Sequence, residues 1–212
     1  MCIRDSRHTN RRGEILDHAS RLFSAHGYDG TAIRLIARAS GVTEAAIYRH
    51  FDGKAQLYDE VIRAKVREHD IAGDLAASRG CGDVEDVLRA VANHVLSLAQ
   101  RDPELVRLMS NSSLENDQGR ATIFREVRSP YIEFLVEEIT RRMAAGEVRR
   151  IDPVITSRCF VGMVMDCALN AGMWSRFAGA EVDAQTVVCN NVPIFARGLI
   201  NDGAVSPSND GV

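Results

Sequence analysis

The sequence predicts an all-α protein in which a few short helices precede a bundle of longer ones. Apolar residues recur at helical spacing along nearly the whole chain of 212 residues, 45% of which are hydrophobic. Glycines and helix-capping Ser, Thr and Asp residues separate these stretches. No stretch alternates apolar and polar residues as a half-buried strand does. About nine helices are expected, three or four of them short.

Four helices are predicted in the first 70 residues, each bounded by a capping residue or a glycine. The first carries an apolar stripe from Ile15 to Phe23 and ends at Gly27, a typical C-cap. The next three, in order, are a helix capped by Thr31 that runs to Ala39, one capped by Thr43 over residues 44–50, and one from Lys54 to about Asp70. Ser40-Gly41-Val42 and Phe51-Asp52-Gly53 are the turns between them.

Five longer helices are predicted after a Gly- and Ala-rich loop that ends near Asp83, and Asp, Asp-Pro or Ser-Pro marks each start. In order, they run from Asp83 to about Gln100, from Asp102-Pro103 to about 110, from Ser129-Pro130 to Ala145-Gly146, from Asp152-Pro153 to about Phe177, and from Asp183 to Gly198. Residues 111–119 are expected to be a loop or a frayed end, residues 201–212 a disordered tail, and Pro193 is expected to kink the last helix.

The composition argues against several classes of protein. No apolar run approaches the roughly 18 residues that span a bilayer, and no apolar signal-peptide segment is recognisable, so we expect a cytoplasmic protein without a membrane partner. The cysteines are Cys2, Cys81, Cys159, Cys167 and Cys189. Because they lack zinc spacing, no metal or cofactor is expected, and they are interpreted as buried reduced thiols or, alternatively, as a redox sensor. Residues 1–6 resemble the translation of a transposon-adaptor sequence, so we expect an adaptor-derived scar there.

The charge is unevenly distributed along the chain. Between Arg7 and Asp70 there are 11 basic and 9 acidic residues, whereas Ile71 to Val212 holds 14 basic and 19 acidic ones. A mildly basic N-terminal region on an acidic remainder suits a region that meets phosphate, although the asymmetry decides nothing alone.

The two short helices before and after Gly41 form the pattern of a helix-turn-helix. Ala37 is small where these helices would cross, and Gly41 suits a turn position with positive φ. Val42 and Ile47 are expected to lock the third helix against the first two. We therefore predict a three-helix head over residues 7–53 and a helical body over residues 54–200.

This stretch resembles the TetR family of bacterial repressors. The residues that carry the resemblance are Ile15-Leu16, Ala19, Leu22-Phe23, Gly27-Tyr28, Thr31, Ile36-Ala37, Gly41-Val42, Ile47-Tyr48, His50-Phe51, Lys54 and Leu57. Beyond them the chain is similar to the family only in length and helix content. In that family this second region is a divergent bundle that binds a ligand and forms a dimer.

The resemblance implies a set of contacts to double-stranded DNA. The implied DNA-binding residues are Thr31, Arg34, Thr43, Glu44, Ala45, Ala46, Tyr48, His50 and Lys54. Thr31 begins a helix whose free N–H groups attract phosphate, and Arg34 reaches a guanine edge or a phosphate. The first turn of the third helix enters the major groove. Tyr48, His50 and Lys54 match contacts to the DNA backbone.

Each contact has a structural alternative, and the base-reading turn is plain. The two threonines are caps in any case. Tyr48 also suits a half-buried core aromatic, His50 also suits packing beside Phe51, and Arg34 also suits a solvated surface. Glu44 repels phosphate but can accept a hydrogen bond from cytosine N4, and alanine packs against a thymine methyl. Readout is therefore expected to depend on Arg34 and on DNA shape.

The body is expected to hold a dimer interface and a ligand pocket. The helix from Pro153 to Phe177 is apolar on more than one face, and the resemblance implies that the last two helices pair with those of a second copy; an ordinary bundle core is the alternative. The predicted pocket residues are Met109, Phe124, Tyr131, Phe134, Met163, Cys167 and Trp174.

These features together predict a homodimeric repressor that a small-molecule effector releases from a palindromic operator. The alternative is a helical ligand-binding or scaffold protein whose head no longer reads DNA. An enzyme is not expected, because no nucleophile elbow, metal constellation or glycine-rich phosphate loop is recognisable in the sequence.

Overall fold

A computed structural model describes residues 3–115, 117–178 and 183–201, and it confirms the all-α fold. Across these ranges the backbone is helix, turn, bend or irregular loop, apart from an isolated antiparallel bridge between Val148 and Ile200. No helix among these residues is both long and apolar enough to cross a membrane. The predicted disordered tail over residues 201–212 lies, apart from residue 201, outside the described residues.

The chain forms two compact units. The first contains Met1–Asp70 and Ala99–Ser129, and the second contains Ile71–Leu98 and Pro130–Val212. The helices over residues 54–67 and 103–115 pack against the first helix, and the helix over residues 117–123 packs against those two. The first unit is therefore larger than the predicted head. The boundaries at residues 53 and 200 stay predictions.

The first unit is built on the helices of the predicted head. The helices are α1 (Ile3–His26), α2 (Ile33–Ala39), α3 (Glu44–Tyr48), α4 (Lys54–Arg67), α7 (Pro103–Glu115) and α8 (Asp117–Ile123). Their shared core includes Ile15, Phe23, Ile36, Ile47 and Leu57, all of them almost fully buried. Gly27 has a φ of 73° directly after α1, so the predicted glycine stop is confirmed.

Several predicted helix starts are confirmed by cap hydrogen bonds. The Thr43 hydroxyl oxygen accepts the N–H of Ala46 at 3.2 Å, and an Asp102 carboxylate oxygen accepts the N–H of Leu105 at 3.0 Å. Each bond satisfies a backbone donor that has no partner inside its helix. Asp83, Asp152 and Asp183 cap, in the same way, the helices that begin directly after them.

The cap assigned to Thr31 is wrong. The residue before α2 is Ala32, and no side chain caps that helix. Thr31 is fully buried instead, and its hydroxyl donates to the carbonyl oxygens of Leu22 at 3.1 Å and Gly27 at 2.8 Å. Thr31 lies one position before the true N-cap, and its hydroxyl instead satisfies carbonyl oxygens at the end of α1.

Two further boundaries differ from the prediction. Residues 111–115 continue α7 and residues 117–119 begin α8, so the stretch predicted as a loop is helical wherever it is described. The helix over Ser129–Ala144 begins at the predicted residue, but no break precedes it, because a π-helical turn over Phe124–Arg128 leads directly into it. Pro130 lacks an N–H and its ring crowds the carbonyl four residues earlier, which explains a locally wider register.

The second unit contains the remaining helices. They are α5 (Ile71–Ala76), α6 (Val84–Arg101), α9 (Ser129–Ala144), α10 (Pro153–Ala178) and α11 (Ala184–Arg197). The last three residues of α6 and the first residue of α9 belong to the first unit. α10 and α11 pack together, with the Phe160 and Phe195 rings 5.0 Å apart. Pro193 lies inside α11 as predicted, and its kink stays a prediction. Asn201 is ordered: its N–H donates to the Glu147 carbonyl at 3.1 Å.

A buried arginine joins α9 to the loop before α6. Arg142 is 2% exposed and donates to Glu147 at 2.7 Å and to the carbonyl oxygens of Cys81 and Gly82 at 3.2 and 2.9 Å. Glu138, also buried, accepts the N–H of Gly80 at 3.1 Å. These bonds pair a buried charge and buried carbonyls that would otherwise be costly to desolvate.

Candidate nucleic-acid interface

The turn between α2 and α3 is a tight glycine turn. Gly41 has a φ of 64°, and the N–H groups of Gly41 and Val42 donate to the carbonyl oxygens of Arg38 at 3.2 Å and Ala37 at 2.9 Å. This pair of bonds is the Schellman ending of a helix, which favours glycine at the left-handed position. Ala37 and Ile47 are buried where the helices meet, so the turn fixes how α3 is presented.

The surface of α2 and α3 is rich in cations. Arg34, predicted from the sequence, is exposed, and so are Arg38 and Arg49, which the prediction missed. Among the described residues none of these three arginines forms an ion pair. The missed signal was the spacing of four between Arg34 and Arg38, which places both on one face of α2. From Thr31 to Lys54 these cations and Lys54 outnumber Glu44 and Asp52 two to one.

The predicted base-reading turn is accessible. Glu44 and Ala45 are exposed and Ala46 is partly exposed at the N-terminus of α3. The Thr43 oxygen is an acceptor in the cap, so its own O–H stays available to donate to an acceptor in solution or on a ligand.

Tyr48 and His50 occupy different environments. Tyr48 is 53% exposed at the end of α3, which contradicts the alternative that it is a core aromatic. His50 is half-buried, and its ring lies 6.3 Å from that of Phe51, as the packing alternative predicts. Both residues follow the predicted base-reading turn by no more than four positions in the sequence, so they are candidates to flank it.

Lys54 begins α4 and lies against an aromatic ring. Its Nζ is 4.2 Å from the ring centroid of Tyr28. Thr31, by contrast, has no exposed surface and its hydroxyl is bonded to α1. The contact to DNA that was predicted at the start of α2 depends on backbone N–H groups and stays a prediction.

The predicted ligand-pocket residues are divided between the two units. Met109 is buried in α7, and Phe124 is 41% exposed in the π turn, both in the first unit. Tyr131, Phe134, Met163 and Cys167 lie in the second unit. Trp174 lies in α10, where its side chain is outside the described residues. The pocket therefore stays a prediction.

Tyr131 takes part in a hydrogen-bonded chain that the sequence did not reveal. His94 Nδ1 is 2.8 Å from the Tyr131 hydroxyl, and its Nε2 is 3.0 Å from an Asp74 carboxylate oxygen.

Burial of Cys167 and the nearby Asp166 carboxylate raise the pKa of that thiol, which keeps it protonated at neutral pH. Cys81, Cys159 and Cys189 are exposed, so the expectation of buried thiols is wrong for these three.

A polar cavity of about 270 Å³ lies in the first unit between α1, α4 and α7. Its walls include Asp17, Arg21, Lys65 and Glu104, and no predicted pocket residue lines it. Beside it, the donor atoms of Glu68, His69 and Asp102 lie within 4.8 Å of one another. The Lys65 ammonium is 3.1 Å from Glu68 and 3.5 Å from Asp102, so an internal cation already lies among these groups.

The fold and the exposed cationic head define a helix-turn-helix protein, and known proteins agree with this class. The family model for bacterial regulatory proteins of the tetR family matches residues 15–61. The nucleoid occlusion factor SlmA of Aliivibrio fischeri is 32% identical over 84% of this chain and 89% of its own length. The transcriptional repressor Rv1474c of Mycobacterium tuberculosis is 28% identical, over 81% and 84%. The chain belongs to the TetR family of transcriptional regulators.

A solved structure supports the fold over both units. The transcriptional regulator FadR from Bacillus subtilis, in complex with stearoyl-CoA, superposes with a TM-score of 0.69. The match covers 87% of this chain and 97% of FadR at 18% identity. At this identity the likeness concerns the fold.

Proposed function

We propose that the protein is a homodimeric transcriptional repressor that a small-molecule effector releases from a palindromic operator. The observation that carries the proposal is a group of three exposed arginines on α2 and at the end of α3, namely Arg34, Arg38 and Arg49, for which no ion pair is found within the described part of the chain. A surface of this kind lowers its electrostatic energy by meeting phosphates and releasing their counterions.

The DNA contacts follow from the exposure of each side chain. Glu44, Ala45 and Ala46 lie at the exposed turn that would enter the major groove, with Arg34 as the side chain that reads guanine or anchors to phosphate. Thr43, Tyr48, His50 and Lys54 would hold the DNA backbone. Arg38 and Arg49 join this set, and Thr31 is left out because its hydroxyl is bonded inside the protein.

The dimer would form through α10 and α11. Ile155 and Ile194, one on each helix, are 61% and 66% exposed, so a second copy that covers them would remove apolar surface from water. A second copy that covers them would present two heads about one DNA turn, roughly 34 Å, apart in the cytoplasm, where chromosomal DNA lies.

The effector is proposed to act by differential affinity for two states of the dimer. The FadR structure contains stearoyl-CoA, so acyl-CoA thioesters of different chain length are the first effector probes for this chain. Release of bound DNA by a thioester, and not by free coenzyme A, would identify the acyl group as the recognised part.

The test is binding of the full chain to a labelled duplex from upstream of its own gene, with salt varied from 50 to 300 mM. We expect a steep fall in affinity with salt. Each phosphate that the protein neutralises adds about 0.9 to the downward slope of the logarithm of the binding constant against the logarithm of the salt concentration. The double variant Tyr48→Phe with Lys54→Ala should bind at least about tenfold more weakly. Arg101→Ala, an exposed arginine at the end of α6, is the matched charge control.

Two outcomes would contradict the proposal. If the parent protein gave no salt-sensitive complex with any upstream fragment, the chain would not be a DNA-binding repressor. Equal binding by the parent and the double variant would favour the alternative of a scaffold protein with a degenerate head. A promoter–reporter assay then separates repression from DNA binding without effect on transcription.

A further inference from the structure

Lys54 lies at a position that its own helix disfavours. It is the first residue of α4, where the free N–H groups carry partial positive charge, and no acidic residue is present in the first turn. Its Nζ lies over the face of Tyr28, 4.2 Å from the ring centroid, well inside the range of a cation–π contact. The ring therefore offers the ammonium the negative potential that the helix end lacks.

Tyr28 is itself fixed by two buried aromatic residues. Its ring meets Tyr58 edge to face, with centroids 5.2 Å apart, and Tyr58 meets Phe23 in the same manner at 4.8 Å. Phe23 and Tyr58 have no exposed surface. The Tyr58 hydroxyl lies 3.5 Å from the Leu108 carbonyl oxygen in α7, within the reach of a weak hydrogen bond. The aromatic face under Lys54 is thus anchored to the core of the first unit.

The contact involves the ring and not a phenolate. Burial raises the pKa of Tyr28, and the carboxylates of Asp29 and Asp59 raise it further. Tyr28 is therefore a neutral phenol at physiological pH, and its interaction with the ammonium is that of a cation with a π face. Phenylalanine at this position would present the same face.

We propose that Tyr28 is a positioning residue for DNA binding, whose ring holds the Lys54 ammonium in the orientation that reaches a backbone phosphate. This inference rests on the proposed function. A free lysine loses rotamer freedom when it binds a phosphate, whereas one already held over a ring has lost much of that freedom beforehand. The ammonium has three N–H donors, so it can face the ring and still donate to phosphate oxygens.

The experiment compares Tyr28→Leu, Tyr28→Phe, Lys54→Met and the double variant Tyr28→Leu/Lys54→Met in the full chain. The probe is a fluorescein-labelled 30-base-pair duplex of mixed sequence, whose binding depends on phosphate contacts. We expect Tyr28→Leu to weaken binding about two- to fivefold per head, the range of an exposed cation–π contact, and Tyr28→Phe to restore it. The double variant should bind no more weakly than Lys54→Met, because the ring acts through the lysine.

Each result separates the positioning role from a merely structural one. If Tyr28→Leu weakens binding equally with and without Lys54, or if Tyr28→Phe fails to restore it, the inference is overturned although DNA binding stands. A parent that does not bind the duplex at low salt overturns the proposed function and this inference with it.

The geometry is also testable without DNA. The ring current of Tyr28 should shift the ε-methylene protons of Lys54 upfield in the nuclear magnetic resonance spectrum, and Tyr28→Phe should preserve that shift. If Tyr28→Leu does not fold, pentafluorophenylalanine at position 28 keeps the ring and reverses its electrostatics, so DNA affinity should fall relative to Tyr28→Phe. Unchanged affinity, or the absence of the upfield shift in the parent, contradicts the proposal.

Discussion

Thr31 and Thr43 each precede a helix of the head, yet their hydroxyl groups form hydrogen bonds of different kinds. The Thr43 oxygen accepts a hydrogen bond from α3 and its proton is free to donate outward, whereas the Thr31 proton is used on the Leu22 and Gly27 carbonyl oxygens inside the protein. The same side chain is therefore a surface group in one place and part of the core in the other. The two threonines can be separated by a pair of isosteric substitutions.

Thr31→Val should destabilise the protein without changing how it meets DNA. The substitution leaves two carbonyl oxygens without their shared donor, which costs about 1–3 kcal/mol of unfolding free energy. Thr43→Val should cost about 1 kcal/mol through the lost cap and should also weaken DNA binding. Urea denaturation and duplex binding at 15 °C report the two properties. Weaker DNA binding by fully folded Thr31→Val would show that its hydroxyl contacts DNA after all.

Gly30 is required by a close approach of two backbone segments. A Cβ at this position would lie 2.2 Å from the His26 carbonyl oxygen, whereas a Cβ at Gly13, in α1, would meet nothing within 4 Å. We expect Gly30→Ala to lower the unfolding free energy by about 1–3 kcal/mol through overpacking. Gly13→Ala should raise it by about 0.5–1 kcal/mol, because alanine favours a helix interior. Calorimetric melting of both variants checks the signs, and equal melting temperatures would contradict the contact.

Local signals account for what the sequence predicted at this scale, and distant partners account for what it missed. A cap such as Asp102 or Asp183 acts on an N–H three residues away, so the pattern is readable along the chain. The Thr31 hydroxyl acts on Leu22, nine residues back, and His94 joins Asp74 and Tyr131 at separations of 20 and 37 residues. Such contacts depend on how helices pack, which periodicity does not specify.

At the scale of elements, charged side chains hold α1, α4 and α7 together. Lys65 lies 3.5 Å from Asp102 and 3.7 Å from Glu104, and the Ser20 hydroxyl donates to Glu104 at 2.6 Å. His69 adds a contact to Asp102 at 3.0 Å. Burial alone would raise the pKa of Asp102, but the Leu105 N–H, His69 and Lys65 outweigh it and lower that pKa below its ordinary value.

The lowered pKa of Asp102 makes this junction sensitive to acid. A carboxyl whose pKa is lower in the folded state contributes stability above its unfolded pKa of about 3.9, and this contribution is lost as pH falls through the folded value. Asp102→Asn removes the charge but keeps an amide oxygen that can still cap α7. The substitution should therefore destabilise the protein more at pH 7, where the parent carboxylate is charged, than at pH 3. Urea unfolding across this range measures the difference. A gap between the two proteins that is constant with pH would contradict the shift.

Element boundaries were predicted well where a cap, a glycine or a proline marks them, since α7 begins at Pro103, α10 at Pro153 and α9 at Ser129, directly before Pro130. Gly146 has a φ of 78° after α9, as the Ala145-Gly146 pair predicted. Pro130 differs from Pro103 and Pro153 because a π turn leads into its helix without a break, and the wider register there accommodates the missing N–H. A sequence pattern does not distinguish these two uses of proline, because both satisfy the same local restriction on φ.

At the scale of the whole molecule, the predicted functions differ in how far one chain can support them. The residues predicted to contact DNA follow from a dense motif, and apart from Thr31 they are exposed or partly exposed in the first unit, while their contacts to DNA stay a prediction. The pocket residues were chosen for size and polarizability, and the fold distributes them between two units. Large apolar side chains fill any helical core, so residue type alone does not select a cavity wall.

The predicted homodimer connects the head with the body, because a palindromic site requires two heads and the proposed interface lies on α10 and α11. Ile155→Glu and Ile194→Glu each place a carboxylate in the proposed α10–α11 interface, where an unpaired buried charge costs about 3 kcal/mol or more per copy. Each variant should dissociate at least about a hundredfold more readily in sedimentation velocity. Affinity for an operator-containing duplex should fall with the loss of the second head. Asn93→Glu, an exposed position on α6, adds the same charge elsewhere and should stay dimeric. If both isoleucine variants sediment as dimers like the parent, the two copies meet through another surface.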